Sequence, residues 1–149
     1  MLKIKKCFIV YIGILVIFLA GCSNGNLNEV ENVRNENEII VQKRVSEEDQ
    51  YEHFKEINNE DTVEYVKDIL NSINWENAKV SMAFPPHYKF HFNERNSQLD
   101  SNKLIYDLWI SPNKDKVELV IEGESKYVQL TESKSAELFE AITDEKLSE

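Results

Sequence analysis

The chain has few cysteines and no excess of basic residues, and these shortages exclude several classes of function. Its two cysteines, Cys7 and Cys22, lie near the N-terminus of the 149-residue chain. Residues 23–149 therefore form no disulfide, and they contain neither a cysteine nucleophile nor a thiolate metal site. A domain in this part of the chain must be stabilised by its hydrophobic core, and about 110 residues are enough for one core of ordinary size.

Acidic residues outnumber basic ones, and the formal net charge is −10 at pH 7. A strongly acidic protein repels nucleic-acid phosphates and anionic lipid headgroups. We therefore expect no nucleic-acid partner and no membrane attachment through a basic surface.

The N-terminus has the pattern of an export signal. Residues 1–8 hold three lysines and no acid, and residues 8–20 are all apolar or glycine. A membrane-spanning helix needs about 20 apolar residues, so this run is too short for a permanent span. We therefore predict that residues 1–21 are a signal peptide. Its removal would take away the three lysines and change the formal charge from −10 to −13.

The residues that end this segment, Leu19-Ala20-Gly21-Cys22, resemble the lipobox of bacterial lipoproteins. The resemblance implies cleavage before Cys22 and attachment of fatty acyl chains, such as palmitate, to that cysteine. Two or more acyl chains hold a protein durably on a bilayer. We therefore expect a lipoprotein anchored to the extracytoplasmic face of the cell membrane.

A polar segment follows the proposed lipidation site. Residues 23–37 contain six asparagines, and Leu27, Val30 and Val33 are their only apolar side chains. Such a composition does not bury enough surface to offset the entropy of ordering. We expect residues 22–37 to be a lipidated, flexible tether and residues 38–149 to form a single extracytoplasmic domain.

Hydrophobic spacing predicts the elements of that domain. The β-branched run 38–44 favours a first strand, whereas residues 46–58 fit either a loop or a short helix. Asp61 followed by Glu64 is typical of a helix start, and apolar residues at helical spacing extend the predicted helix over 61–73. Thr131 is predicted to cap a closing helix, in which Ala136, Phe139 and Ile142 lie along one face with Leu138 beside them.

Alternation with a period of two predicts four strands between these helices. They lie near 88–92, 104–110, 116–122 and 126–130, separated by short turn clusters. The expected order is β-α-β-β-β-β-α. This order is an α+β fold in which an antiparallel sheet of about four to five strands carries two helices on one face. The residues expected to face the helices in the 104–110 strand are Leu104, Tyr106, Leu108 and Ile110.

Three segments resemble the YhfM-like domain found in small lipoproteins of Gram-positive spore-formers. They are Asn77-Ala78-Lys79-Val80-Ser81-Met82-Ala83-Phe84-Pro85-Pro86-His87-Tyr88, Tyr106-Asp107-Leu108-Trp109-Ile110-Ser111 and Lys126-Tyr127-Val128-Gln129-Leu130. The likeness covers roughly residues 38–142. It implies a membrane-anchored extracytoplasmic domain and brings no catalytic or binding residue with it.

The histidines offer little support for catalysis or metal binding. His87 and His91 form an H-x-x-x-H pattern, but in an extended strand they would lie roughly 13 Å apart, too far to share one zinc ion. His53 lies in a charged segment, and nothing in the spacing of the serines selects a Ser-His-Asp triple. We therefore expect no metal site and no cofactor.

The sheet face turned away from the helices is the candidate binding surface. Because successive side chains of a strand point to opposite faces, alternation assigns four residues to this face: Trp109, Asp107, Tyr127 and His91. A mixed surface with aromatic residues is suited to docking. The alternative, favoured because exposed apolar patches are uncommon on monomers, is that residues 46–58 or the neighbourhood of the first strand cover it.

Two functions remain open at this point. The favoured one is a non-enzymatic binding or regulatory domain at the cell envelope, in which the sheet face or the Pro85-Pro86 loop contacts an envelope protein or ligand. The alternative is a small envelope hydrolase or metal-dependent enzyme that uses His53, His87 or His91.

Overall fold

A computed structural model describes residues 37–94 and 103–148. The predicted signal peptide, Cys22 and the tether as far as residue 36 lie outside the described residues. The elements in chain order are β1 (Glu38–Arg44), β2 (Tyr51–Ile57), α1 (Glu60–Asn71), β3 (Glu76–Asn77), β4 (Tyr88–Asn93), β5 (Ile105–Ile110), β6 (Val117–Ile121), β7 (Lys126–Gln129) and α2 (Glu132–Thr143).

The described strands form one antiparallel sheet, in the order β2-β1-β4-β5-β6-β7-β3. The α+β class with two helices is confirmed. The expected four to five strands were too few, because the described sheet has seven. The predicted order lacked β2, which follows β1, and the two-residue strand β3, which follows α1 and pairs with β7.

Strand β2 forms in the segment whose structure the sequence left open. Its pairing with β1 shifts register between Val41 and Gln42, so that Val41 pairs with Lys55 and Gln42 with His53. A bulge of this kind changes which residues share a face of the strand. Phe54 and Ile57 therefore both lie on the helix-covered side although they are three positions apart, a spacing that resembles a helix. The same shift places Tyr51 on the sheet face opposite the helices.

Both helices pack on one face of the sheet. Val63, Val66 and Leu70 of α1 are buried as the helical spacing predicted. The cap of α1 was predicted wrongly, because the side chain of Asn59 accepts the hydrogen bond from the Thr62 backbone N–H at 2.9 Å. Asp61 instead lies in the first turn of the helix.

The closing helix α2 begins as expected, since Thr131 Oγ1 accepts from the Lys134 backbone N–H. Leu138, Phe139 and Ile142 are buried, whereas Ala136 is exposed, contrary to the prediction. The position that completes the buried helical row is Ser135. Its hydroxyl accepts from the Val117 backbone N–H at 2.9 Å and ties α2 to β6.

The core lies between the helices and this sheet face. Leu108 is fully buried and pairs with Tyr88 on β4 and Leu119 on β6. Leu104 was expected on this face, but it precedes β5 and is 45% exposed. No helix in residues 37–94 and 103–148 is long and apolar enough to cross a membrane.

Candidate functional site

The sheet face opposite the helices, called here the second face, carries the residues that the alternation singled out. Asp107 pairs with Lys89 on β4 and with Val120 on β6, and Trp109 pairs with Glu118. Since Leu108 is buried on the helix side, its two neighbours in the extended strand must point to the second face. The parity prediction thus placed Asp107 and Trp109 on one surface.

Residues 78–87, called here the 78–87 loop, run over part of the second face between β3 and β4. Three consecutive carbonyl oxygens of this loop accept hydrogen bonds, each of 2.8 Å. Trp109 Nε1 donates to Phe84, an Arg44 guanidinium nitrogen donates to Pro85, and the Tyr51 hydroxyl donates to Pro86. These donors fix the loop on the sheet from three different strands.

The sequence of the loop makes this attachment possible. Proline restricts the residue before it to extended conformations, so Pro85 and Pro86 disfavour a helical turn at Phe84 and Pro85. Neither proline has a backbone N–H to place in a ladder, but each keeps a carbonyl acceptor. Burial raises the pKa of Tyr51, and nearby Asp49 adds to the effect, so its phenol remains a neutral donor at physiological pH.

A cavity of about 530 Å³ lies between the 78–87 loop and the second face. This volume is within the usual range for small-molecule sites, about 300–1,000 Å³. Met82 of the loop and Trp109 and Val120 of the sheet give it apolar walls, while Lys89 and Asp107 contribute charge. We call it the loop–sheet cavity.

The charged wall of the loop–sheet cavity is built around Lys89. Its Nζ lies 3.6 Å from Asp107 Oδ1 and 4.0 Å from Glu122 Oε2, and 4.9 Å from the ring centroid of Tyr51. Asp49, on the turn between β1 and β2, also lines the cavity. Among the described residues of the lining there are therefore three carboxylates and one ammonium, and two of the carboxylates lie within 4.0 Å of it.

Asp107 has the most strongly shifted pKa in this wall. Its side chain is 13% exposed, and Oδ1 is buried without a hydrogen-bond donor, since 3.6 Å to Lys89 is an ion pair but not a hydrogen bond. Burial raises the pKa of Asp107 to about 6 against the attraction of Lys89, and Glu122 and Asp49 raise it further. A raised pKa in a concave site is a recurrent property of functional residues.

The three histidines do not meet. His53 is exposed on edge strand β2, and His91 pairs with Ile40 and Ile105 in the middle of the sheet. His87 Nδ1 accepts from the Ile110 backbone N–H at 3.1 Å. Burial and the nearby Arg44 lower the pKa of His87, in keeping with a neutral ring that accepts at this nitrogen.

The other predicted surface residues lie outside the loop–sheet cavity. Tyr127 is on the second face, where its hydroxyl donates to Glu118 at 3.3 Å. His91 is on the same face, two residues beyond Lys89, and it does not line the cavity. The structure thus brings the Pro85-Pro86 loop onto the face that carries Trp109 and Asp107, whereas the sequence offered this loop and this face as alternatives.

Two residues that fix the loop escaped the sequence analysis. Arg44 and Tyr51 donate to the loop from positions 41 and 35 residues away in the chain. No local sequence pattern predicts such contacts, because they depend on the register of β1 and β2. Across residues 37–94 and 103–148, no group of three or more His, Cys, Asp or Glu side chains is placed to hold a metal ion.

The chain belongs to the YhfM protein family, whose model matches residues 32–148. The match includes every strand and helix described above and the whole loop–sheet cavity. Neither a curated protein nor a solved structure matches the chain.

Proposed function

We propose that this chain is a lipid-anchored extracytoplasmic protein whose domain binds a ligand in the loop–sheet cavity and does not catalyse a reaction. The observation that carries the proposal is the cavity itself. It combines apolar walls with a few convergent charged groups, which is the usual composition of a binding site.

The lining favours binding over catalysis. Among its described residues there is no Ser, Thr, Cys or His to act as a nucleophile or as an imidazole base. The three histidines are dispersed, and the Nδ1 of His87 is occupied by a backbone contact. Asp107 is paired with Lys89 at 3.6 Å, so this carboxylate contributes a charged contact to the cavity.

The proposed anchor rests on the lipobox-like Leu19-Ala20-Gly21-Cys22 and the short apolar run before it. Growing cells with an alkyne analogue of palmitate should label the wild-type protein. Cys22→Ser should abolish the label, whereas Cys7→Ser should keep it, because Cys7 would leave with the signal peptide. A labelled Cys22→Ser protein would contradict the proposed anchor.

The binding function is tested by a photo-reactive residue inside the cavity. p-Benzoylphenylalanine in place of Met82 faces the cavity, and the same residue in place of Ser133 lies exposed on α2, on the opposite side of the sheet. Irradiation of intact cells should give a discrete adduct at position 82 alone, measured by mass spectrometry. No adduct at position 82, or the same adducts at both positions, would refute the use of this cavity.

A further inference from the structure

The charge around the loop–sheet cavity is unbalanced. Lys89 is the one ammonium in the described lining, and it lies near Asp107 and Glu122 while Asp49 lines the same space. A single positive charge compensates one carboxylate. Arg44, whose guanidinium donates to the lining carbonyl of Pro85, brings the nearby cations to two against three carboxylates. The net charge around the cavity is therefore negative, which favours cations and disfavours anions.

A hydrogen-bond donor is also missing at Asp107. Its Oδ1 is buried and accepts no hydrogen bond, although a buried carboxylate oxygen without a donor is costly. Lys89 Nζ, at 3.6 Å, is shared with Glu122 and with the ring of Tyr51. Oδ1 itself is closed off from solvent, so a ligand would contact the part of the Asp107 carboxylate that lines the cavity. A positively charged N–H group there would pair with the carboxylate and neutralise the excess charge.

The remaining walls fit an aliphatic chain. Val80, Met82 and Val120 are apolar, and Trp109 borders the same space. The indole N–H of Trp109 already donates to Phe84, so its contribution to a ligand is the ring, which attracts cations over its face. An organic cation fits this wall better than a metal ion, because the described residues contain no cluster suited to a metal.

We propose that the loop–sheet cavity binds a primary ammonium group carried on an aliphatic chain, either a free amine or a lysine side chain of a peptide. This inference rests on the proposed binding function and names the chemistry of its ligand. Asp107 contacts the ammonium, and Trp109 with Met82 contacts the chain.

The test uses the full-length protein, purified in a nonionic detergent, with its tryptophan indoles labelled with ¹⁵N. The chain has two tryptophans. Trp109 borders the cavity, whereas Trp75 packs against Tyr106 with ring centroids 6.3 Å apart and serves as an internal control. The probes are pentylamine, pentanol and pentanoate, which share a five-carbon chain and differ in charge.

We expect pentylamine to shift the Trp109 indole signal saturably and to bind about tenfold more tightly than either other probe, as one charge-assisted hydrogen bond allows. The Trp75 signal should not move. Pentanoate or pentanol binding as tightly as pentylamine, or equal shifts at both indoles, would overturn the proposal.

Two variants test the charged wall independently. Asp107→Asn should weaken pentylamine binding by about fivefold or more, because the amide has no charge to pair with the ammonium. Lys89→Met removes the competing ammonium and should strengthen pentylamine binding. Glu132→Gln, at an exposed position of α2, makes the same charge change as Asp107→Asn and should have no effect. Unchanged binding to Asp107→Asn, or loss of binding in a folded Lys89→Met protein, would refute the inference.

Two lysine derivatives distinguish the two sources of the ammonium. One is Nα-acetyl-lysine N-methylamide, which keeps a free side-chain ammonium, and the other is the same compound acetylated at Nε. Tighter binding of the lysine derivative than of pentylamine indicates a peptide, and the reverse indicates a free amine. Equal binding of the acetylated form would refute the need for a charge. An adduct at position 82 in a protein that does not bind amines would support the binding function. It would refute only the proposal that the ligand carries an ammonium group.

Discussion

Asp107 gives the sharpest test of the physical account of the loop–sheet cavity. Its pKa is raised by burial from 3.8 to about 6, so the folded protein holds the proton more tightly than the unfolded chain does. The favourable contribution of the protonated group is complete below about pH 3.8 and is lost as the pH rises through 6. At neutral pH the ionised carboxylate therefore lowers the free energy of unfolding.

The size of this effect follows from the shift. Two pKa units correspond to about 3 kcal/mol, and the partial contact of Asp107 with solvent reduces this to about 1–2 kcal/mol. Asp107→Asn replaces the carboxyl by a neutral group of nearly the same shape. The variant should be more stable than wild type by about 1–2 kcal/mol near pH 7.5 and about equally stable near pH 4.

The assay is urea unfolding followed by circular dichroism, with both proteins measured at each pH. Other carboxyl groups titrate in the same range, but their effect cancels when the variant is compared with wild type. Glu132→Gln serves as the control. Two results would show that burial does not raise the pKa of Asp107. One is a variant less stable than wild type near pH 7.5, and the other is a stability difference that does not change with pH.

Three further predictions use the same unfolding measurement. Asn59→Ala should cost about 1 kcal/mol, and Asp61→Ala clearly less, because Asn59 supplies the cap of α1; equal losses would contradict this assignment. Leu108→Ala should cost about 2–5 kcal/mol as a fully buried residue, and Trp109→Ala less; equal unfolding would mean that both sheet faces are core. The pKa of His87 is lowered, so stability should fall as the pH drops below 6.5, and His87→Gln should reduce this dependence; an unchanged dependence would refute it.

The position of the 78–87 loop changes how the second face is understood. The alternative drawn from the sequence was that residues 46–58 or the neighbourhood of the first strand cover this face. Tyr51 and Asp49 of that segment do reach it, but the 78–87 loop lies over Trp109 through the contact with Phe84. The face is therefore partly covered around Trp109 and Asp107, and that covering forms the cavity.

Local patterns in the sequence predicted much of the fold because they report on local physics. Strand β1 has the bounds predicted from residues 38–44, and the alternation of Tyr88, Phe90 and Phe92 gave β4 and its buried side. Thr131 was correctly identified as a cap, because capping involves residues three positions apart. The absence of cysteine after Cys22 excluded disulfides without any structure.

The site depended on contacts that no local pattern contains. The bulge between Val41 and Gln42 turns Tyr51 to the second face, and only the pairing of β1 with β2 creates it. The sequence by itself determined which residues alternate, which cap a helix and how acidic the chain is, since these depend on neighbours. The tertiary structure alone decided that Asp107, Lys89 and the 78–87 loop line one open cavity, because strand register and long-range hydrogen bonds bring them together.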